Sequence, residues 1–199
     1  MSNFRIGIDT GGTFTDFVLI REGRIKVFKE LSTPEHPELA ILSGLETAAA
    51  TKPSEIIHGS TVATNALLER KGARTALVTT AGFEDVLVIG RQTRPELYDM
   101  LTSRPEPLIP KEWRIGVEER TLHDGKIEKR LNSKEIRKLL RLMRSSGVES
   151  IAVSLLYSFV NPEHERKIGL ALEELGIPVS LSSEIMPEYR EFERTSTTS

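Results

Sequence analysis

The residues of this chain best suited to chemistry stand near its start, in the run Asp9-Thr10-Gly11-Gly12-Thr13-Phe14-Thr15-Asp16. A carboxylate, two adjacent glycines and three threonines precede a second carboxylate there. Backbone amides approach an oxyanion closely only where Cβ is absent, successive N–H groups form an anion-binding concavity, and hydroxyls add further donors. A carboxylate beside such a turn can organise a metal ion. The chemistry these residue types point to is therefore phosphate gripping with a metal-side acid. The competing reading is a plain hairpin turn, because glycine-rich turns are common.

The flanking residues decide what kind of loop this is. Phe4-Arg5-Ile6-Gly7-Ile8 precedes it and Phe17-Val18-Leu19-Ile20 follows, before a Glu22-Gly23 turn and Ile25-Lys26-Val27-Phe28. Apolar and β-branched runs around tight turns predict strand–loop–strand–turn–strand, with the loop at the tip of a β-hairpin. A Walker A loop would need a terminal Lys-Ser/Thr, and a dinucleotide fingerprint would need G-x-G-x-x-G opening a helix. Neither is present.

Further along, Leu39, Leu42 and Leu45 recur at helical spacing up to the Lys52-Pro53 stop. Glu55–Gly59 reads as a short buried strand, with Ser60 or Thr61 capping a helix that ends at Lys71-Gly72. Thr75–Thr80 is the next strand. Residues 90–131 read as an irregular insert followed by a hairpin: Gly90–Pro110 holds four prolines and three arginines with little periodicity, and Asp124-Gly125 is a hairpin signal. Asn132 caps a helix whose apolar face is Ile136, Leu139, Leu140 and Met143, an i, i+3, i+4, i+7 set ended by Gly147. Ile151–Leu156, apolar on both faces, suits a central strand. Pro162 opens a helix closed by Gly176, and Ile177–Leu181 is the last strand. The tail from Glu191 to Ser199 shows no apolar period. Alternating helices and strands predict an α/β sheet with helices on its faces, the three leading strands forming its antiparallel part.

Composition narrows the class. The 199 residues can bury one sizeable core or two small lobes. A net charge of −2 gives no reason to expect nucleic acid. No run approaches the roughly 18 apolar residues of a membrane span, and Met-Ser-Asn-Phe-Arg leads directly into a strand without a signal-peptide pattern. A cytoplasmic protein is expected. With no cysteine, disulfides, thiolate metal sites and a cysteine nucleophile are excluded. Gly59-Ser60-Thr61-Val62 is not a nucleophile elbow, and His164-Glu165 lacks the second histidine of H-E-x-x-H.

Asp-x-Gly-Gly-Thr between two strands resembles the first phosphate motif of the actin/Hsp70/sugar-kinase superfamily. The longer string D-T-G-G-T-F-T-D resembles the hydantoinase A/5-oxoprolinase family more closely. So do His58-Gly59-Ser60-Thr61-Val62-Ala63-Thr64-Asn65, Gly90-Arg91-Gln92-Thr93-Arg94-Pro95, Tyr157-Ser158-Phe159-Val160-Asn161-Pro162-Glu163-His164-Glu165 and Glu191–Thr198. Ser60 stands where the family usually carries threonine, so the hydroxyl is kept. The resemblance spans the chain in order. It implies a ribonuclease-H-like, actin-type lobe: a mixed sheet with helices on its faces and an N-terminal β-hairpin phosphate loop. Residues 1–199 would be the N-terminal domain, one lobe of a two-lobe ATPase. In such a lobe Asp9 holds the Mg²⁺ of ATP through water, while Thr10, Gly11, Gly12, Thr13 and Thr15 contact β- and γ-phosphates. Asp16 is either a second metal-side acid or a hairpin hydrogen-bond acceptor.

The family uses ATP to open 5-oxoproline or hydantoin rings, or to activate ketones for carboxylation. The resemblance therefore implies a small cyclic amide substrate and a hydantoinase B-type partner subunit or fused domain. Alternatives are an acetone-carboxylase-type subunit, a sugar- or acetate-kinase-like phosphotransferase, and a non-catalytic interaction lobe. Actin-like ATPases clamp nucleotide between two lobes. No second D-x-G or G-G segment occurs here, so these residues alone are expected to bind ATP weakly and turn it over negligibly.

Other candidates for substrate contact are Thr61, Thr64 and Asn65, at a predicted helix N-terminus where free amides favour anions. Arg91, Arg94 and Glu118 are also candidates, because arginine suits bidentate recognition of carboxylate or phosphate. Simple capping, or a solvated loop with surface ion pairs, is the competing reading for each group. His58 is expected as a satisfied core histidine, and the Glu188–Arg194 charge run as a solvated face.

Overall fold

A computed structural model describes residues 4–48, 53–93, 98 and 106–199. The chain forms two compact units, Met1–Gly72 and Ala73–Ser199. Among the described residues no helix is long and apolar enough to cross a membrane.

The first unit contains β1 (Phe4–Thr10), β2 (Phe14–Arg21), β3 (Arg24–Leu31), α1 (Pro37–Ala48), β4 (Glu55–Ser60) and α2 (Val62–Leu68). Its sheet runs β3-β2-β1-β4, with the first three strands antiparallel and β4 parallel to β1. Glu22 and Gly23 both take positive φ, 52° and 75°, the conformation of a two-residue turn whose twist matches its strands. Alternation along β1 and β2 buries Phe4, Ile6, Ile8, Phe17 and Leu19 and turns Asp9 outward.

The helix over this face shares only Leu45 with the predicted leucine stripe. Leu39 and Leu42 are exposed, while Ala40 and Gly44 are buried, with Ile41, Leu45 and Ala48 packed alongside. Phe17 dictates this choice: a Cβ on Gly44 would overlap its ring. Phe17 also stacks on Phe28, ring centroids 4.8 Å apart. Helix α2 is shorter than expected. It stops at Leu68, and Arg70, not Gly72, takes the left-handed position at φ 55°. Lys71 N–H then donates to Ala66 O and Arg70 N–H to Leu67 O, satisfying the last carbonyls without glycine.

The second unit contains β5 (Thr75–Thr80), α3 (Val86–Ile89), a 3-10 turn at Lys111–Trp113, β6 (Arg114–Val117), β7 (Arg120–Thr121), β8 (Ile127–Lys129), α4 (Ser133–Ser146), β9 (Ser150–Ser154), α5 (Glu163–Leu172), a 3-10 turn at Glu173–Leu175, β10 (Val179–Leu181), α6 (Ser182–Ile185) and α7 (Glu191–Thr198). Its four-stranded sheet, β10-β9-β5-β6, is wholly parallel. The leading strands therefore do not join the later ones in one mixed sheet; each unit has a sheet of its own. The β7–β8 hairpin turns at Asp124-Gly125 as expected. Asn132 caps α4 by accepting from the amides of Lys134 and Glu135, and Gly147 ends it in the left-handed region.

The C-terminal run departs from the sequence expectation. Glu191–Thr198 is helical, and Arg194 is fully buried rather than solvated. Its guanidinium donates to Ser158 Oγ, Ser182 Oγ, Leu155 O at 2.9 Å and Glu191. Buried Glu165 lies 3.8 Å from it and accepts from Leu155 N–H, Ser182 Oγ and Ser183 N–H. Four acceptors and a nearby carboxylate offset much of the cost that would otherwise keep an arginine outside, while its Nε meets no acceptor among the described residues.

Candidate functional site

The first hairpin is closed by Gly11 N–H donating to Phe14 O, 3.0 Å. A Cβ on Gly11 would lie only 3.0 Å from that same oxygen, so the tightness of the turn explains the glycine. Ser32, directly after β3, anchors the loop from the side. Its N–H donates to Thr13 O and its hydroxyl to Gly11 O at 2.8 Å, and the hydroxyls of Ser32 and Thr15 are 3.0 Å apart. These bonds turn loop carbonyls toward Ser32. Among the described residues the N–H groups of Gly12 and Thr13 meet no protein acceptor. Sequence reading missed Ser32, although the Phe14↔Leu31 register places it beside Thr13.

The acids and the threonines lie on opposite faces. Asp9 and Asp16 are direct cross-strand partners and share the outward face, where Asp16 is 3.9 Å from Lys29 Nζ. Gly59 is the neighbour of Asp9 on β4, and a Cβ there would stand 3.5 Å from Asp9 Oδ1. Thr10 and Thr15 point inward and are buried. The Thr10 hydroxyl is 3.0 Å from His58 Nε2. His58 itself is exposed, not a core histidine, because β4 is the sheet edge.

A cavity of about 340 Å³ lies against the loop, lined by Thr10, Gly11, Gly12, Ser32, Val62 and Asn65 among others. Asn65 is the predicted contact that reaches it, and a Cβ on Gly12 would meet its Nδ2 at 3.2 Å. Thr61 stands at the N-cap of α2 but makes no side-chain cap. Its hydroxyl and its N–H both donate to Thr10 O, at 3.4 and 3.0 Å. Thr64 is exposed and does not line the cavity.

The remaining candidates belong to the second unit. Arg91 is bound through Nε to Glu193 Oε1 at 2.8 Å, a bond that holds the Glu193 carboxyl below its usual range. Glu118 pairs with Lys129 on the surface, which likewise lowers its carboxyl. Arg94 lies outside the described residues.

A mixed α/β protein with an anchored glycine loop at the end of its first hairpin is the class these features define. Residues 5–176 match the hydantoinase/oxoprolinase N-terminal region, and the chain belongs to that family. It is 41% identical, over 98% of its length, to an uncharacterized protein of Methanocaldococcus jannaschii and covers 30% of that protein. It is 36% identical to the caprolactamase subunit alpha of Pseudomonas jessenii, covering 98% of this chain and 30% of the relative. The crystal structure of that ATP-dependent caprolactamase matches with a TM-score of 0.84 at 34% identity, over 98% of this chain and 30% of its own. A nucleotide-free structure of acetone carboxylase, from work on ATP-dependent acetone carboxylation, matches all of this chain and 32% of its own, with a TM-score of 0.88 and 29% identity. The chain thus spans about 30% of the length of these curated relatives.

Proposed function

We propose that this chain is the ATP-binding N-terminal part of an enzyme that opens small cyclic amides after phosphorylating the amide oxygen. The observation that carries the reading is the tip of the first hairpin, where two amides without a protein acceptor sit next to a cross-strand pair of carboxylates. Free amides suit phosphate oxygens. Like charges directly opposite on a sheet are destabilising, and a bound cation would relieve that. Mg²⁺ is satisfied by one or two carboxylates together with phosphate and water. Among the described residues no three His, Asp or Glu side chains converge into a metal cage, so phosphate and water would complete the shell.

On this reading the amides of Gly12 and Thr13 would face the β- and γ-phosphates, and Asp9 would hold Mg²⁺ through water with Asp16 as the second acid. Thr10 and Thr15 keep the loop in shape through His58 and Ser32. An amide is a poor electrophile with a poor leaving group, and phosphorylation turns its carbon into one that water attacks. ATP supplies that phosphoryl group; the protein supplies position and charge neutralisation. The strand order β3-β2-β1-β4 supports reading the first unit as the opening of an actin-type lobe. Family membership and the ATP-dependent caprolactamase support the use of ATP on a cyclic amide, and relatives that are subunits of larger enzymes support a partner subunit, which we take to be of the hydantoinase B type, in the cytoplasm.

The test is Asp9→Asn in the full protein. Mg-ATP affinity and lactam-dependent phosphate release should both collapse, and retention of both would overturn the reading. The likeness to acetone carboxylase favours a second reading, ketone carboxylation, which a carboxylated product in place of an opened ring would select.

A further inference from the structure

Within the second unit a cavity of about 300 Å³ opens between α3 and one face of α7, and the reading above makes no use of it. Its position follows from the sheet. From β5 the chain steps to β6 on one side and later to β9 on the other, so the strand order reverses between β5 and β9. In open parallel sheets ligands settle outside the carboxyl ends of the strands at that point. Here the crevice itself is closed by protein. Thr80, last in β5, accepts from Leu156 N–H at 3.0 Å and donates to buried Glu119. Ser154, last in β9, is bonded to Thr195 of α7 at 2.9 Å. The Arg194 face of α7 seals this end, and a different face, bearing Phe192 and Ser196, forms a wall of the cavity.

The cavity presents more apolar than polar surface. Leu87, Ile89, Leu108 and Phe192 supply most of its wall, and Arg91, Gln92, Thr93, Glu106, Ser196 and Ser199 supply polarity. The backbone on both sides of Arg91 is in the left-handed region, at φ 55° for Gly90 and 56° for Gln92. For glutamine that conformation is uncommon and marks a position the surroundings over-determine. Arg91 is fixed by Glu193 and lies 5.9 Å from the centre of the Phe192 ring. The volume is at the low end for ligand sites, and among the described lining residues the one cation, Arg91, is already balanced by a carboxylate. A nucleoside triphosphate would need more room and more positive charge. A compact uncharged carbonyl compound fits, its carbons against leucine and phenylalanine and its oxygen accepting from Arg91 or the Ser196 hydroxyl.

We propose that this cavity holds the small carbonyl substrate, a lactam with a largely apolar ring, on residues of the second unit and not on the glycine loop. The ligand class rests on the proposed function; the location rests on the cavity. Saturation-transfer NMR on the 199-residue chain without nucleotide tests it, with ε-caprolactam and 5-oxoproline as probes. Caprolactam should give transfer in the parent chain and in Asp9→Asn. Ser196→Trp, which fills the cavity, should abolish it. Arg91→Ala, a change at an exposed side chain, should weaken it about ten-fold, the loss of one polar contact. No transfer from caprolactam, a preference for charged 5-oxoproline, or transfer unchanged in Ser196→Trp and Arg91→Ala would each overturn the proposal. Undiminished Mg-ATP affinity in Asp9→Asn would instead sink the glycine-loop reading and leave the cavity standing.

Discussion

Both sheets end in hydroxyls, carboxylates and loop amides, yet the two ends dispose of those groups in opposite ways. In the first unit the amides of Gly12 and Thr13 lack protein acceptors and two carboxylates face each other outward. In the second, Thr80 is bonded to Glu119 and Leu156, Ser154 to Thr195, Glu165 to Ser182, and Arg194 to Ser158, Ser182 and Leu155. The Nε of Arg194 and the hydroxyl of Ser183 stay buried without a partner among the described residues. Residue type therefore does not separate an end whose polar groups stay open from one whose polar groups are bonded inside. What separates them is whether polar groups are left open to solvent or mostly bonded inside the protein, since the great majority of buried polar groups find a partner.

The hardest blow to this contrast is Arg194→Ala. It strands Glu165 and two serines in a dry interior, and breaking a buried pair in this way costs about 3–5 kcal/mol. Hydrogen exchange should show protection lost in β9, α5 and α7 and kept in β1–β4. Equal loss in both units would break the distinction. Gly44→Ala is the counterpart in the first unit. The added methyl overlaps the Phe17 ring, and overpacking of this kind costs about 1–3 kcal/mol, read by chemical denaturation.

Gly12→Ala sharpens the comparison from the binding side. The new Cβ would crowd Asn65 Nδ2 at 3.2 Å, so pyrophosphate affinity, measured by calorimetry, should fall about ten-fold while stability changes by less than about 0.5 kcal/mol. A large loss of stability would mean the loop is architecture after all.

The smallest effect is a pH dependence. Burial pushes the Glu191 carboxyl above its usual range, and the Arg194 guanidinium pulls it only part of the way back. A carboxyl with a raised folded value contributes stability below its unfolded value, and that contribution is lost as pH rises through the folded one. Glu191→Gln cannot titrate, so its stability relative to the parent should rise between about pH 4 and pH 7, as urea midpoints at the two ends would show. A constant difference would remove Glu191 from the account.

Much of this was legible in the sequence because local chemistry decided it. Asn132, Gly147 and Asp124-Gly125 act on their own neighbours, and the hairpin flanking the glycine loop follows from period-two alternation. What stayed hidden was set by contacts distant in sequence. The α1 stripe depends on the ring of Phe17, and the burial of Arg194 depends on Ser158, Ser182 and Glu165, which no periodicity in Glu191–Thr198 reveals. Arg70 took the place expected for Gly72 because the helix ended two residues early. At the site, the glycine loop and Asn65 were readable. Ser32 needed the β2–β3 register, and Thr61 gave its hydroxyl to a carbonyl on another strand.

The fit of Phe17 into the notch left by Gly44 reaches further than packing. Side chains alternate along a strand, so a slip of one residue exchanges its two faces. A ring that enters only one notch makes such a slip conspicuous: with Phe17 seated, Thr15 must turn inward and Asp16 outward, and through the Asp9↔Asp16 pairing the orientation of Asp9 is settled too. A glycine on the covering helix thereby helps to set which face of the sheet the loop's acids occupy.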